Sequence, residues 1–165
     1  TCALPIFATN SQSEEQLHFF RHAVPESVNL LIDDIRKEYP SLTKLGTDMA
    51  VPNSKLKEVM KLYNKTLEDS NLESVIFGHI GDNHLHVNII PKNMDDYKKG
   101  KELYNSWAEK IVSMGGTISA EHGVGKLKTS LFKQMVGTSG LKEMKSLKLL
   151  FDPDNRLNCG NLFEE

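Results

Sequence analysis

Three of the six histidines, His79, His84 and His86, lie within eight residues of the sequence. Because successive side chains of a strand point to opposite faces, a strand here places His84, His86 and Asn88 on one face and apolar residues on the other. The residues 81–83 (Gly-Asp-Asn) predict a tight turn, so that the chain folds back as a hairpin and brings His79 beside His86. Two imidazoles converging from paired strands form half of a divalent metal site. The alternative is a set of surface histidines on a solvated sheet face.

A second candidate cluster is the adjacent pair Glu121 and His122, which lies in a segment, 115–125, that contains four glycines. A carboxylate and an imidazole on such a loop can supply a third metal ligand and a general base. The alternative is an exposed ion pair on a surface loop. The segment lacks the Gly-x-x-x-x-Gly-Lys-Ser/Thr spacing of a phosphate-binding loop, so we discount that function.

The elements that must position these residues alternate between helical and strand-like patterns. Helical apolar spacing occurs over residues 14–38, 56–63, 103–112, 131–136 and 141–147. In the first of these, Pro25 either splits the helix or marks the first turn of its second half. Strand-like segments are expected at residues 3–9, 43–51, 74–80, 85–90 and 116–119. Together with a hairpin, this pattern predicts an α+β domain with a mostly antiparallel sheet covered by helices.

The composition excludes several classes of protein. The 165 residues, 39% hydrophobic and 25% charged, are ordinary for one soluble globular domain and unlike a disordered, collagen-like or coiled-coil chain. With a net charge of −2 and no basic block, no nucleic acid partner is expected. Two cysteines, Cys2 and Cys159, are too few for a disulfide framework or a zinc ribbon, which favours a reducing, cytoplasmic location. Peripheral association with the inner face of a membrane is the alternative location that we consider.

The order of the motifs resembles the C-terminal domain of FAD-linked oxidases in the vanillyl-alcohol oxidase superfamily. That family includes D-lactate dehydrogenase, D-2-hydroxyglutarate dehydrogenase and the D subunit of glycolate oxidase. The resemblance is carried by Gly-His-x-Gly-Asp-x-x-x-His at 78–86, Glu-His-Gly-x-Gly at 121–125, and segments at 21–26, 47–52 and 151–160. It covers nearly the whole chain and implies a ferredoxin-like cap domain.

The resemblance also implies roles for the residues at matching positions. It implies that His79, His86 and Glu121 are ligands of a divalent metal, zinc or manganese, and that His122 is the catalytic base. The residues expected to bind substrate are Arg21, Lys44, Asn88 and His84. Asn158 is expected to contact the cofactor, FAD.

The sequence departs from the family pattern at three places. The family usually has Gly-Asp-Gly-Asn-x-His, whereas Asn83 and His84 occupy its third and fourth positions here. His84 is therefore an extra imidazole, and it is a further ligand, a substrate contact or a bystander. The usual Val-Pro-Arg is Val-Pro-Asn at 51–53, and the usual Asn-Pro-Gly-Lys is Asn-Cys-Gly-Asn at 158–161.

We expect residues 1–165 to be the substrate or cap domain of a longer flavoenzyme whose N-terminal FAD-binding domain is absent, with residues 140–165 forming a helical tail. The resemblance implies oxidation of a D-2-hydroxy acid to a 2-oxo acid, and we expect the isolated chain to be inactive. The expected partners are the small hydroxy acid, the FAD domain of the same chain, an electron-transfer protein and a second copy in a homodimer. The alternatives are a stand-alone metal-binding module with hydrolytic chemistry and a non-enzymatic interaction domain.

Overall fold

The computed structural model describes residues 7–163, which divide into two compact units between Lys44 and Leu45. The helices within this range are α1 (Ser11–Glu38), α2 (Leu56–Ser70), α3 (Met94–Ser113) and α4 (Thr129–Phe151). Its strands are β1 (Leu45–Gly46), β2 (Met49–Ala50), β3 (Ser74–His79) and β4 (His84–Ile89). The strand expected at 3–9 falls partly outside the described residues, and its last three positions, 7–9, form no strand.

Strand β4 is the centre of the sheet, and all its pairings are antiparallel. It pairs with β3 along its full length, from Ser74 opposite Ile89 to His79 opposite His84. Its other edge pairs first with β1 and then with β2, so the strand predicted at 43–51 is present as two short pieces. Beyond β2, Ala50 forms one antiparallel bridge to Thr117, to which the strand expected at 116–119 is reduced. With β1 and β2 counted as one interrupted strand and the Thr117 bridge as the last strand, the second unit has the order β-α-β-β-α-β. This order confirms the predicted α+β cap fold with its ferredoxin-like connections.

Helix α1 belongs to the first compact unit and begins with a capping box. The Asn10 side chain accepts a hydrogen bond from the backbone N–H of Ser13 at 2.9 Å, and the Ser13 hydroxyl accepts one from the N–H of Asn10 at 3.2 Å. The helix continues through Pro25, so neither predicted effect of that proline occurs.

The core of the second unit lies between the sheet and helices α2 and α3. Trp107 of α3 is fully buried, donates a hydrogen bond from Nε1 to Thr66 Oγ1 at 2.9 Å, and meets the Tyr63 ring edge-on with centroids 4.9 Å apart. The side chains of Leu85, Val87 and Ile89 on β4 are buried as well, which confirms the predicted apolar face of this strand. Burial of these large apolar side chains fixes which face of β4 carries the histidines.

The hairpin that carries the histidines turns through a short 3-10 segment, Ile80–Asp82, followed by Asn83 with φ +52°. Asparagine tolerates this left-handed conformation better than most residues with a side chain, so the turn predicted at 81–83 forms without glycine at position 83. The buried Asn83 side chain also donates a hydrogen bond to the side chain of Asn53. The turn sets the register in which His79 lies directly opposite His84 and diagonally from His86.

Helix α4 is interrupted at Gly137, where φ is +71° and ψ is 173°. The break separates the two helical faces predicted at 131–136 and 141–147. The helix ends at Phe151, as the sequence Asp152-Pro153 predicts, and residues 152–163 form turns and bends. A hydrogen bond from Lys148, with backbone N–H donors at Leu157 and Arg156, lowers the pKa of Asp152 to about 2.

Across residues 7–163, none of the helices combines the length and apolar composition that a membrane span requires.

We predict that Gly78→Ala destabilises the second unit, whereas Gly81→Ala does not. Gly78 has φ +148°, and a Cβ there would lie 2.5 Å from the carbonyl oxygen of His84. The strain should lower the free energy of unfolding by about 1–3 kcal/mol in urea titrations followed by circular dichroism. Gly81 has no atom within 4 Å of its built Cβ, so its substitution should leave stability unchanged or raise it by up to about 1 kcal/mol. Equal destabilisation by the two changes would contradict this account of the hairpin.

Candidate metal centre

The polar face of β4 is largely shielded from solvent. The side chains of His84 and His86 are 5% and 12% exposed, and Asn88 is 2% exposed. The hypothesis of a solvated histidine face is therefore wrong for these residues. The segment 117–122 lies next to the sheet here, because Thr117 bridges Ala50 and the backbone N–H of Ala120 donates to the carbonyl of Asp48 at 2.8 Å.

The carboxylate of Glu121 is the point at which the predicted site residues meet. Its Oε1 lies 3.0 Å from His86 Nε2 and 3.2 Å from His122 Nε2, and its Oε2 lies 3.5 Å from His79 Nε2. The structure thus brings together the residues that the sequence suggested as metal ligands and the residue suggested as a base. Ligand atoms of His79, His84, His86 and Glu121 all lie within 4.8 Å of one another.

The hydrogen bonds of His86 bear on whether a metal fits this cluster. Its Nδ1 lies 2.8 Å from the carbonyl oxygen of Thr47, which can only accept, so we assign the ring proton to Nδ1. In the neutral ring Nε2 then carries a lone pair, yet it faces Glu121 Oε1 at 3.0 Å. Two acceptors approach this closely only when a proton or a cation lies between them. Such an imidazole, oriented through Nδ1 by a backbone carbonyl, is the usual arrangement of a metal-binding histidine.

Burial also affects the third histidine of the cluster. Burial, followed by the neighbouring charge of His86, lowers the pKa of His84, although Glu121 and Asp48 act in the opposite direction. His84 is therefore neutral near pH 7. Its Nε2 lies 3.2 Å from Asp48 Oδ1, and it has no hydrogen-bond partner of suitable geometry among residues 7–163.

Asp48 is the functional residue that the sequence analysis left without a role. Its side chain is 3% exposed and accepts hydrogen bonds from Lys128 Nζ at 2.7 Å and the Ser119 hydroxyl at 2.8 Å. The backbone N–H groups of Glu121 and His122 each donate to it at 3.1 Å. Burial alone raises the pKa of Asp48, but these four donors outweigh it and hold the pKa well below its ordinary value. The charged carboxylate therefore fixes the backbone of Glu121 and His122 to the sheet.

The gap between β1 and β2 positions both Asp48 and His86. Within the gap, the Thr47 hydroxyl donates to the carbonyl of Leu85 at 3.1 Å and accepts from the N–H of Val87 at 2.9 Å. The Thr47 N–H still donates to the Val87 carbonyl at 3.0 Å, but the Thr47 hydroxyl, not its carbonyl, accepts from the Val87 N–H. The Thr47 carbonyl is thereby available to orient His86. A signal for the network was present in the sequence, since a carboxylate inside an apolar strand needs buried donors. The donors themselves, Ser119 and Lys128, are too distant in sequence to infer.

Of the other predicted site residues, Asn88 and Asn158 belong to the second compact unit, and Arg21 and Lys44 belong to the first. Asn88 is buried on β4, and its Nδ2 has no hydrogen-bond partner within the described range. Asn158 is exposed in a turn with φ +50°, where its carbonyl accepts from the N–H of Asn161. In the first unit, Arg21 is exposed on α1, and Lys44 donates to Asn29 Oδ1 at 2.9 Å. The roles predicted for these four residues stay predictions.

We predict that Asp48→Asn lowers the free energy of unfolding by about 3–5 kcal/mol at pH 7, because it leaves the largely buried Lys128 ammonium without its counterion. The pKa of Asp48 is depressed in the folded state, so its contribution is complete above about pH 4 and is lost as the pH falls below that value. The difference between the two proteins should therefore narrow below about pH 4 in urea titrations over a pH series.

The exposed residue Asp82 offers a matched control, since Asp82→Asn makes the same chemical change without removing a buried charge. A cost within about 0.5 kcal/mol is expected for this surface substitution. If Asp48→Asn and Asp82→Asn were equally mild at pH 7, the buried ion pair would not hold the loop.

Comparison with known proteins places the chain in a family. The family model described as FAD linked oxidases, C-terminal domain, matches residues 6–162. The chain is 33% identical to glycolate oxidase subunit GlcD of Bacillus subtilis over 73% of its length and 26% of that protein. It is 35% identical to D-2-hydroxyglutarate dehydrogenase of Stutzerimonas stutzeri over 93% of its length and 32% of that protein.

Mitochondrial D-lactate dehydrogenase (cytochrome) of Kluyveromyces lactis is 32% identical over 96% of the chain and 27% of that relative. The chain thus spans between about a quarter and a third of the length of these three relatives. The family match covers most of the chain, and the order of its motifs agrees with that match. The chain therefore belongs to the family of FAD linked oxidases, C-terminal domain.

Proposed function

We propose that this chain is the substrate- and metal-binding domain of an FAD-dependent 2-hydroxy-acid dehydrogenase or oxidase. Its substrate would be D-lactate, glycolate or a similar acid, and its product the 2-oxo acid. The observation that carries the proposal is the convergence of His79, His86 and His122 on one carboxylate, that of Glu121. The names of its relatives, which include glycolate oxidase and D-lactate dehydrogenase, support the choice of substrate class.

The residues that would hold the metal are His79, His86 and Glu121. Imidazole nitrogen and carboxylate oxygen are a donor set that suits zinc or manganese. The lone pair of His86 Nε2 facing the Glu121 carboxylate is the feature that fits a cation here. When bound, the metal supplies a Lewis acid that polarises the oxygen of a hydroxy acid.

His122 is the proposed base because it is both accessible and held in place. Its side chain is 66% exposed, so a substrate can reach it, while its backbone N–H is fixed by Asp48. Its Nε2 faces Glu121 Oε1 at 3.2 Å. We therefore assign the ring proton to Nε2 and the proton-accepting lone pair to Nδ1.

The remaining residues in the proposal bind and orient the substrate. The buried amide nitrogen of Asn88, Nδ2, has no hydrogen-bond partner within residues 7–163. It can therefore donate a hydrogen bond to a substrate oxygen. Arg21 suits the substrate carboxylate because a guanidinium binds it through two parallel hydrogen bonds, and Lys44 is a further cation for it.

FAD would supply the acceptor for two electrons, which no side chain of this chain can provide. We propose that its binding domain belongs to the same longer polypeptide, with Asn158 as a contact from this part. An electron-transfer protein as the next acceptor, a homodimer, and a cytoplasmic location with or without association at the inner membrane face are further predictions.

We predict that the purified chain, incubated with zinc or manganese and then dialysed, retains about one equivalent of metal by mass spectrometry. His86→Ala should reduce this to background, because it removes the ligand whose orientation is fixed by Thr47. His22→Ala is the matched control, since that histidine is exposed on α1 and should leave the metal content unchanged. Absence of metal from the loaded wild-type chain, or equal loss in both variants, would refute the site.

We predict that His122→Ala, made in the flavin-containing enzyme that carries this domain, reduces kcat about 10²–10⁴-fold while its metal content stays the same. A general base contributes to the rate in this range, and loss of a base need not release a ligand. Turnover is measured with D-lactate and an electron-accepting dye, and metal content is measured on the same samples.

The isolated chain should give no dye reduction under these conditions, because it contains no electron acceptor. Dye reduction by a flavin-free preparation of the chain would contradict the proposal. So would a parallel loss of metal and activity in His122→Ala, which would make His122 a ligand rather than a base.

A further inference from the structure

We infer that His84 is a further ligand of the metal proposed above, so that this chain offers three imidazoles and one carboxylate to one ion. The inference rests on the proposed metal site and deepens it. His84 stands where the family pattern has an asparagine, so it is a property of this chain's own sequence.

The burial of His84 argues for a ligand and against a bystander. Its side chain is 5% exposed, and its Nε2 is completely buried without a hydrogen-bond partner among the described residues. An unsatisfied buried nitrogen costs roughly 1–3 kcal/mol, so a fold rarely keeps one without a use. An ion bound within the cluster would satisfy this nitrogen without access from solvent.

The neighbouring carboxylate of Asp48 does not account for His84. Asp48 Oδ1 already accepts from the N–H of Glu121, and Oδ2 accepts from Lys128, Ser119 and the N–H of His122. His84 Nε2 lies 3.2 Å from Asp48 Oδ1, but the contact lacks hydrogen-bond geometry, so this nitrogen has no partner among the described residues. The negative charge of Asp48 instead favours a cation nearby.

The geometry places His84 within reach of the other ligands. It lies opposite His79 in the hairpin, and its ring centroid is 5.7 Å from that of His79 and 4.4 Å from that of His86. One ligand atom from each of these residues and from Glu121 lies within 4.8 Å of the others. In a tetrahedral site with zinc–nitrogen bonds of about 2.1 Å, two ligand atoms are about 3.4 Å apart. Two atoms that are now at most 4.8 Å apart reach this separation when each shifts by less than about 1 Å.

A fourth protein ligand has a chemical consequence. Catalytic zinc sites usually have three protein ligands and one open position, whereas four protein ligands hold the ion more firmly and require expansion to five-coordination for substrate. We therefore expect this chain to retain zinc more tightly than a version with asparagine at position 84.

The test is X-ray absorption spectroscopy of the zinc-loaded chain, combined with zinc affinity from competition with a chelating dye. The wild-type spectrum should fit three imidazoles and one carboxylate. His84→Asn, which introduces the family residue, should fit two imidazoles and raise the Kd for zinc at least about tenfold. His22→Asn is the control for removal of an imidazole elsewhere and should change neither quantity.

The outcomes separate this inference from the function on which it rests. Two imidazoles in the wild-type spectrum, with an unchanged Kd in His84→Asn, would overturn the role of His84 and leave the site of His79, His86 and Glu121 standing. Failure of the wild-type chain to bind zinc at all would overturn both. The wild-type spectrum gives the number of imidazoles even if His84→Asn folds poorly. His122 also lies beside Glu121, so His122→Asn is measured as well and should still fit three imidazoles. Circular dichroism of the metal-free variants checks their folding.

Discussion

The buried carboxylate of Asp48 is the interaction on which the rest of the site depends. It accepts hydrogen bonds from donors that are 71 to 80 residues away in the sequence, at Ser119, Glu121, His122 and Lys128. A buried charge is tolerated only when it is paired and hydrogen-bonded. The partners of Asp48 all belong to the segment 119–128, which carries Glu121 and His122. The hydrogen bonds that satisfy the Asp48 carboxylate therefore fix the backbone positions of Glu121 and His122.

The fold brings this loop to the histidines by ending the sheet early. A full strand at the edge beyond β2 would continue past Thr117. Within the described residues, the chain makes one bridge there, from Thr117 to Ala50, and then turns away from the sheet. It turns across the edge between β1 and β2, where Thr47 orients His86 through its carbonyl. The interruption between β1 and β2 thus fixes the tautomer of His86 and leaves room for the Glu121 carboxylate beside its Nε2.

Local sequence patterns were sufficient for the parts of the site that lie on one element. Alternation predicted the two faces of β4, the residues 81–83 predicted the turn, and the adjacent glycines marked the loop of Glu121. The patterns could not show that the segment 117–122 lies against the sheet next to the histidine face, so the burial of His84 was missed. Nor could they show that Thr47 splits a predicted strand, because both depend on contacts between segments distant in sequence. The placements of Arg21, Lys44 and Asn158 are known, but their functions stay predictions.

The central claim is that His79, His86 and Glu121 form a metal site, and that Asp48 holds the backbone of Glu121 in place through hydrogen bonds. The most direct measurement is a crystal structure of the zinc-loaded chain with diffraction recorded on both sides of the zinc absorption edge. The account predicts one anomalous peak between His79, His86 and the Glu121 carboxylate. A peak at another set of residues, or a zinc-loaded crystal in which Glu121 keeps its direct contacts to the imidazoles with no peak, would contradict it.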